Sequence, residues 1–149
     1  MKTQTTYLIA LVTFAAALVG FPAGCATTQN TSDDDLNILS TRSELIELLA
    51  DDRSPCTLID VRQAEQFAEA HILGAINIPI RRIVGRDPRL AEATNLIVYS
   101  DGWTRSSDDL LSWAAAKKLL ALDYQNVYDF RGGLDLWIRE GGQLADGGG

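Results

Sequence analysis

The apolar and polar positions change period several times along the chain, and each change marks a predicted element. From residue 41, the pattern T-x-x-E ahead of LIELLA matches a capping box, with Thr41 and Glu44 opening a short amphipathic helix. Leu45, Ile46, Leu48 and Leu49 are expected on its inner side. CTLIDV, residues 56–61, is an apolar run without polar alternation, as in a strand covered on both faces. AEQFAEA (64–70) reads as one or two helical turns, and GAINIPI (74–80) as a turn followed by extended chain closed by Pro79. LIVYS (96–100) is a second buried strand. The longest helical pattern, SDDLLSWAAAKKLLALD (107–123), carries Asp108 and Asp109 in its first turn, where the helix dipole favours acids. Its expected buried stripe is Leu110, Leu111, Trp113, Ala114 and Leu120. NVYDF (126–130) is another short strand, RGG a turn using the backbone freedom of Gly132 and Gly133, and LDLWIREGG (134–142) a final helix stopped by glycine. Strands alternating with helices predict an α/β fold, a mainly parallel central sheet with helices on both faces.

The first residues follow a different pattern. Lys2 precedes the apolar run YLIALVTFAAALVG (7–20), and FPAGCATTQN follows it, the charged, apolar and small-residue order of a signal peptide. The run is short for a membrane span. Ala23, Gly24 and Cys25 resemble the lipobox of bacterial lipoproteins, where the cysteine is acylated and becomes the new N-terminus; Pro22 stands where that pattern has an aliphatic residue. Two alternatives stay open: cleavage at a small-residue site within 24–26, which yields a soluble periplasmic or secreted protein, and retention of the leader as a weak anchor. TTQNTSDDD (27–35) has no apolar periodicity and suits a flexible tether. By the lipoprotein resemblance, Ala26 after the cysteine favours the outer membrane, facing the periplasm. The expected organisation is therefore a signal peptide at 1–24, a lipidated N-terminus and tether at 25–40, a domain at 41–144 and a frayed tail at 145–149.

Composition narrows the function. A chain of 149 residues with a formal net charge of −7 holds one domain with a single core. Lys2 is the only charged residue among the first 24, so the remainder carries −8. That balance makes nucleic acid an unexpected partner. Cys25 and Cys56 lie in unrelated contexts and suggest no disulfide framework. With His71 the single histidine and no C-x-x-C spacing, no metal or other cofactor is expected.

Three motifs in order, LIDVRQAEQF (58–67), AHILGAINIP (70–79) and NVYDFRGGLDLW (126–137), resemble a single rhodanese domain over nearly all of 41–144. The resemblance implies a three-layer fold and an active-site loop of the form C-x-x-G-x-R-S between a strand and a helix. Aligned on LIVYS, Ser100 takes the place of the family's catalytic cysteine, and Arg105 and Ser106 match its arginine and serine. Trp103 replaces the usual glycine, with Gly102 one position earlier. The loop has the sulfurtransferase length, one residue shorter than the related phosphatase loop. Asp60 and Arg62 match the family's DVR and are expected to brace the loop and the sheet ends.

The family's reaction carries sulfur as a cysteine persulfide, from a donor such as thiosulfate to an acceptor such as cyanide. Cysteine suits it because a free thiol pKa of roughly 8.5 is readily lowered at a helix N-terminus or beside a cation. A serine hydroxyl is far less acidic and forms no sulfur–sulfur bond, so Ser100 does not substitute in that mechanism. Activated serine needs a base oriented by a third group. His71 is read as a packing or hydrogen-bonding residue, and Asp101 as a solvated loop acid. Cys56 heads its strand while Ser100 follows the next, which places them at opposite sheet ends, on the order of 15 Å apart. Ligand sites in such sheets lie at the carboxyl ends of strands. Cys56 is therefore read as a small buried residue.

What remains is binding. The loop Ser100, Asp101, Gly102, Trp103, Thr104, Arg105 and Ser106 joins backbone N–H groups, hydroxyls and a guanidinium in a cradle suited to a small oxyanion. Asp101, Asp108 and Asp109 oppose that, and the alternative is a loop kept only as structure. Trp103 either caps the pocket or presents a contact to a protein partner. Trp113 and Trp137 are expected in the core. The leading expectation is a catalytically degenerate domain acting as an envelope-anchored binding or scaffold module, attached to the membrane by lipid alone. The alternative is an enzyme, a sulfurtransferase relative or a hydrolase of oxyanion esters, that uses the inherited loop.

Overall fold

A computed structural model describes residues 36–102 and 110–146. In chain order the elements are β1 (Asn37–Leu39), α1 (Arg42–Leu49), β2 (Cys56–Asp60), α2 (Ala64–Glu69), β3 (His71–Ile72), β4 (Ile76–Asn77), β5 (Asn95–Tyr99), α3 (Leu111–Ala121), β6 (Val127–Phe130), α4 (Gly133–Arg139) and β7 (Leu144–Ala145). Two 3₁₀ turns, Ile80–Arg82 and Pro88–Leu90, lie between β4 and β5.

The central sheet runs β1-β6-β5-β2-β4, and every neighbouring pair is parallel. Parallel sheets need covering on both faces, and the side chains of β5 show it. Leu96 and Val98 join one core with Ala115, Ala116 and Leu119 of α3; Ile97 and Tyr99 join the other with Leu45 of α1 and Leu134 and Trp137 of α4. All five residues of β5 are buried. The unbroken apolar run of this strand reports that double cover. The fold is therefore the expected α/β architecture, a parallel five-stranded sheet between helical layers. A second, antiparallel pair joins β3 to β7, with His71 opposite Ala145.

The Thr41 box closes as expected: Thr41 Oγ1 accepts from the Glu44 N–H at 3.2 Å, and Glu44 Oε2 accepts from the Thr41 N–H at 3.1 Å. The inner face of α1 differs from the expectation. Leu45 is fully buried and Leu48 packs on the core, but Ile46 and Leu49 are exposed. The helix presents its 45/48 side to the sheet, and Arg42 covers the Trp137 ring at 5.1 Å. The stripe of α3 is likewise rotated from the one expected. Its buried residues are Ser112, Ala115, Ala116 and Leu119, while Leu110 is exposed and Leu111, Trp113 and Leu120 flank the core half-buried. Small side chains at 112, 115 and 116 let the helix lie close on β5 and β6, an approach that ranking residues by hydrophobicity does not reveal.

Both domain edges also move. Leu36 is buried and residues 37–39 form the edge strand of the sheet, although 25–40 read as tether. Ala145, assigned to the tail, pairs in β7. In each case a strand of two or three residues is defined by its partner and not by any pattern of its own.

Candidate functional site

β2 and β5 are in register, Asp60 opposite Tyr99, so both finish at the same edge of the sheet. The chain leaves β5 through Ser100, which is 1% exposed. The Ser100 and Asp101 carbonyls accept from the N–H groups of Leu134 and Asp135, both at 2.9 Å. These donors open α4 and have no partner within that helix. The start of the loop is thus bonded, backbone to backbone, onto the β6–α4 turn. Two glycines permit this approach. At Gly133, φ is +57°, and a Cβ would stand 2.5 Å from the Ser100 carbonyl oxygen and 2.6 Å from Gly102 N. Gly102 has φ +105°, and a Cβ there would overlap the Gly132 carbonyl. The RGG pattern announced backbone freedom; its use against the other loop is a tertiary fact.

Beneath the loop lies a buried ion cluster. Arg62, 5% exposed, donates to Asp60 through Nε at 3.1 Å and Nη2 at 2.7 Å, to the Ala70 carbonyl at 2.7 Å and to Asp101 Oδ1 at 3.0 Å. Burial opposes the charge on this guanidinium, but the hydrogen bonds and fields of Asp60 and Asp101 outweigh it, and its pKa is raised. Gln66 Nε2 donates to Asp101 Oδ2 at 3.2 Å. Asp101 is therefore not the solvated acid expected from sequence: it turns under the sheet edge and ties the loop to Arg62. Asp60 and Arg62 hold the end of β2 against the first residues after β5. Because it is engaged by two carboxylates, Arg62 serves as a brace.

Two further groups complete this edge. Tyr99 is fully buried, and its hydroxyl accepts from the Ile72 N–H at 3.1 Å. Burial pushes its pKa up, and neighbouring Asp60 adds to the shift. Asp129, at the end of β6 and fully buried, accepts from Arg131 Nε at 3.3 Å. Gln66, Tyr99 and Asp129 were all missed by sequence reasoning. The signal for Tyr99 was a hydroxyl inside an otherwise apolar strand, since a buried tyrosine needs a partner.

His71 is buried, its ring stacked on Phe67 at 3.7 Å and its Nδ1 placed 2.9 Å from the Phe67 carbonyl, so packing and a backbone hydrogen bond define its place. Cys56 stands opposite Asn95 at the amino end of both strands, away from Ser100. Its thiol lies 3.2 Å from the carbonyls of Leu48 and Ser54, either of which can accept its one proton, and the residue is half-buried where burial was expected. Trp137 is buried, with Nε1 donating to the Gln143 carbonyl at 2.8 Å. Trp103, Thr104, Arg105, Ser106, Asp108, Asp109 and Cys25 lie outside the described residues. Among the described residues, no group of three His, Cys, Asp or Glu side chains could hold a metal ion.

A profile of the rhodanese-like domain matches residues 41–140. The chain belongs to the rhodanese-like family. It is similar to the adenylyltransferase and sulfurtransferase UBA4 of Candida albicans, 36% identical over 88 residues, which cover 54% of this chain and 19% of that protein. The corresponding protein of Ogataea parapolymorpha is 32% identical over 107 residues, covering 71% of this chain and 26% of that one. The rhodanese-like chain thus spans about a fifth to a quarter of these relatives. Among solved structures, a thiosulfate sulfurtransferase from Pseudomonas aeruginosa superposes with a TM-score of 0.56 at 35% identity, over 74% of this chain and 20% of that one. The BH2092 protein of Bacillus halodurans, at 24% identity, shares the fold with a TM-score of 0.61, over 76% of this chain and 78% of that one. The rhodanese-like domain is accordingly related to sulfurtransferases.

Proposed function

We propose that this rhodanese-like domain has lost persulfide chemistry and acts as a binding module, with the loop after β5 taking a small oxyanion or a protein partner. One observation carries the reading. Ser100 leaves β5 at the carboxyl edge, where resemblance to the family puts the sulfur-bearing cysteine, while Cys56 sits at the opposite end of the strands. Oxygen in that place forms no persulfide. The engagement of Asp101 by Arg62 supports anion binding, since it offsets one of the three carboxylates that would repel an anion. The same contact counts against Ser100-based hydrolysis: Asp101 is held by Arg62 and Gln66, and His71 packs on Phe67.

A thiosulfate-to-cyanide assay on the purified protein tests this. The natural sequence should show no turnover above buffer, and Ser100→Cys should gain it if the rest of the loop is competent. Robust turnover by the natural protein overturns the proposal. Anchoring through an acylated Cys25, facing the periplasm, is the second part of the reading, supported by the order of Lys2, the apolar run and Ala23-Gly24-Cys25. Intact-mass analysis of membrane-extracted protein should give a diacyl or triacyl N-terminal cysteine; an unmodified chain starting elsewhere refutes it.

A further inference from the structure

The segment between β4 and β5 is electrically unlike the rest of the molecule. Residues 80–90 carry Arg81, Arg82, Arg86 and Arg89 against the single acid Asp87, a net +3 in a chain whose net charge is −7. The remainder of the chain therefore carries −10. The segment is firmly seated. Ile83 and Leu90 are buried at 5% and 3% exposure, and Lys118 of α3 donates to the Ile80 and Ile83 carbonyls at 3.2 and 3.4 Å. The Asp87 N–H donates to the Tyr124 hydroxyl at 2.8 Å. Between the two anchors the chain turns outward, and Val84 stands 82% exposed beside an open groove of about 470 Å³ lined by the same segment.

Not all four arginines are compensated. Arg89 is paired with Asp87 at 2.6 Å. Arg86 donates to the Asp123 carbonyl at 3.1 Å and lies 5.2 Å from the Tyr124 ring, contacts that aim it without cancelling its charge. Arg81 and Arg82 are exposed and form no ion pair with a described carboxylate. Asp87 is taken up by Arg89, Asp123 meets Arg86 through its carbonyl, and Glu92 follows two residues after the segment, so the turn itself keeps its positive charge.

We propose that this turn is a docking element for an anionic phospholipid surface, with Val84 entering the headgroup–acyl boundary and Arg81, Arg82 and Arg86 meeting phosphate groups. Charge complementarity together with the apolar apex selects this occupant. A free anion would use the arginines and leave Val84 in water, whereas a bilayer interface accommodates both. A nucleic acid backbone, like a free anion, would meet the arginines and leave Val84 in water. The element is independent of the loop after β5 and of acylation at Cys25, and with an anchored chain it would set the orientation of the domain on the membrane.

Co-sedimentation of the full chain with phosphatidylcholine vesicles, with and without phosphatidylglycerol, tests the proposal. Binding through the apolar leader is common to both vesicle types, so the readout is the increment caused by phosphatidylglycerol. Each arginine near such a surface contributes about fivefold, so Arg81→Glu with Arg82→Glu should weaken the increment by at least about 25-fold. Val84→Asp should reduce it, and Val84→Trp should raise it. All three positions are exposed, and unchanged thermal melting confirms that the variants fold. Three results overturn the proposal: no dependence on phosphatidylglycerol, variants that bind like the natural chain, or displacement by inorganic phosphate where chloride of equal ionic strength is without effect. The last would identify a small-anion site instead.

Discussion

Replacing Arg62 with alanine should destabilise the domain more than any single surface change, because of what it leaves behind. The substitution removes five side-chain hydrogen bonds, three to Asp60, one to Ala70 and one to Asp101. Asp101 is 30% exposed and can recover solvation, but Asp60 is fully buried and keeps its carboxylate with no cation beside it. Breaking one partner out of a buried pair costs about 3–5 kcal/mol, a large share of the roughly 5–15 kcal/mol that holds a domain together. Urea unfolding followed by tryptophan fluorescence would measure the loss. The control is the double variant Asp60→Asn with Arg62→Met, which removes both charges; it should cost clearly less than the sum of its parts. Arg62→Lys should fall between, since lysine keeps the charge but loses the fork that reaches Asp60, Asp101 and Ala70 together. An Arg62→Ala cost below about 1 kcal/mol, or additive effects in the cycle, would refute the assignment of Arg62 as the buried brace of the site.

Other consequences are as definite. Gly133→Ala should cost about 2–5 kcal/mol, from the positive φ and the overlap with the Ser100 carbonyl; an unfolding midpoint like that of the natural protein would contradict the close approach of the two loops. Tyr99→Phe should cost about 1–3 kcal/mol by leaving the buried Ile72 N–H unpaired. Because burial raises the Tyr99 pKa, the unfolded chain ionises this residue first, so its contribution is complete below pH 10.0 and is lost as the pH rises further. Urea unfolding across alkaline pH should show a decline that Tyr99→Phe reduces, and identical slopes would falsify it. At the acid end, the Arg89 hydrogen bonds hold the Asp87 carboxyl below its ordinary 3.8, so its stabilising contribution is full above that value and fades as the pH falls through the lowered one. A carboxyl titration by NMR should place Asp87 below 3.8 and move it upward in Arg89→Ala.

Local signals carried far in this chain. The Thr41 box, the doubly covered strands 56–60 and 95–99 and the glycine stop of α4 each depend on neighbours within a few residues, and each formed where the pattern put it. The three motifs that resemble the family pointed to its α/β fold, whose strand order β1-β6-β5-β2-β4 only the structure supplies. Less legible were features that need a distant partner. The edge strand at 37–39 has no alternation to show and exists through β6. The inner face of α3 is set by how closely Ala115 and Ala116 let it approach the sheet, so the more hydrophobic Leu110 is left outside.

One repeated triplet separates the two kinds of information. D-x-R occurs at Asp51–Arg53, Asp60–Arg62, Asp87–Arg89 and Asp129–Arg131, and in all four the arginine turns back onto the aspartate two residues earlier. That pairing belongs to the sequence by itself, because three linked residues suffice to bring the groups together. What each pair is worth belongs to the tertiary structure. Arg53 is 93% exposed and its pair is screened by water, whereas Arg62 and Asp60 are covered by the sheet edge and joined there by Asp101 from the end of the next strand. The same two side chains, at the same spacing, are a solvated contact in one place and the brace of a candidate site in the other; burial makes the difference, and only the packed chain supplies it.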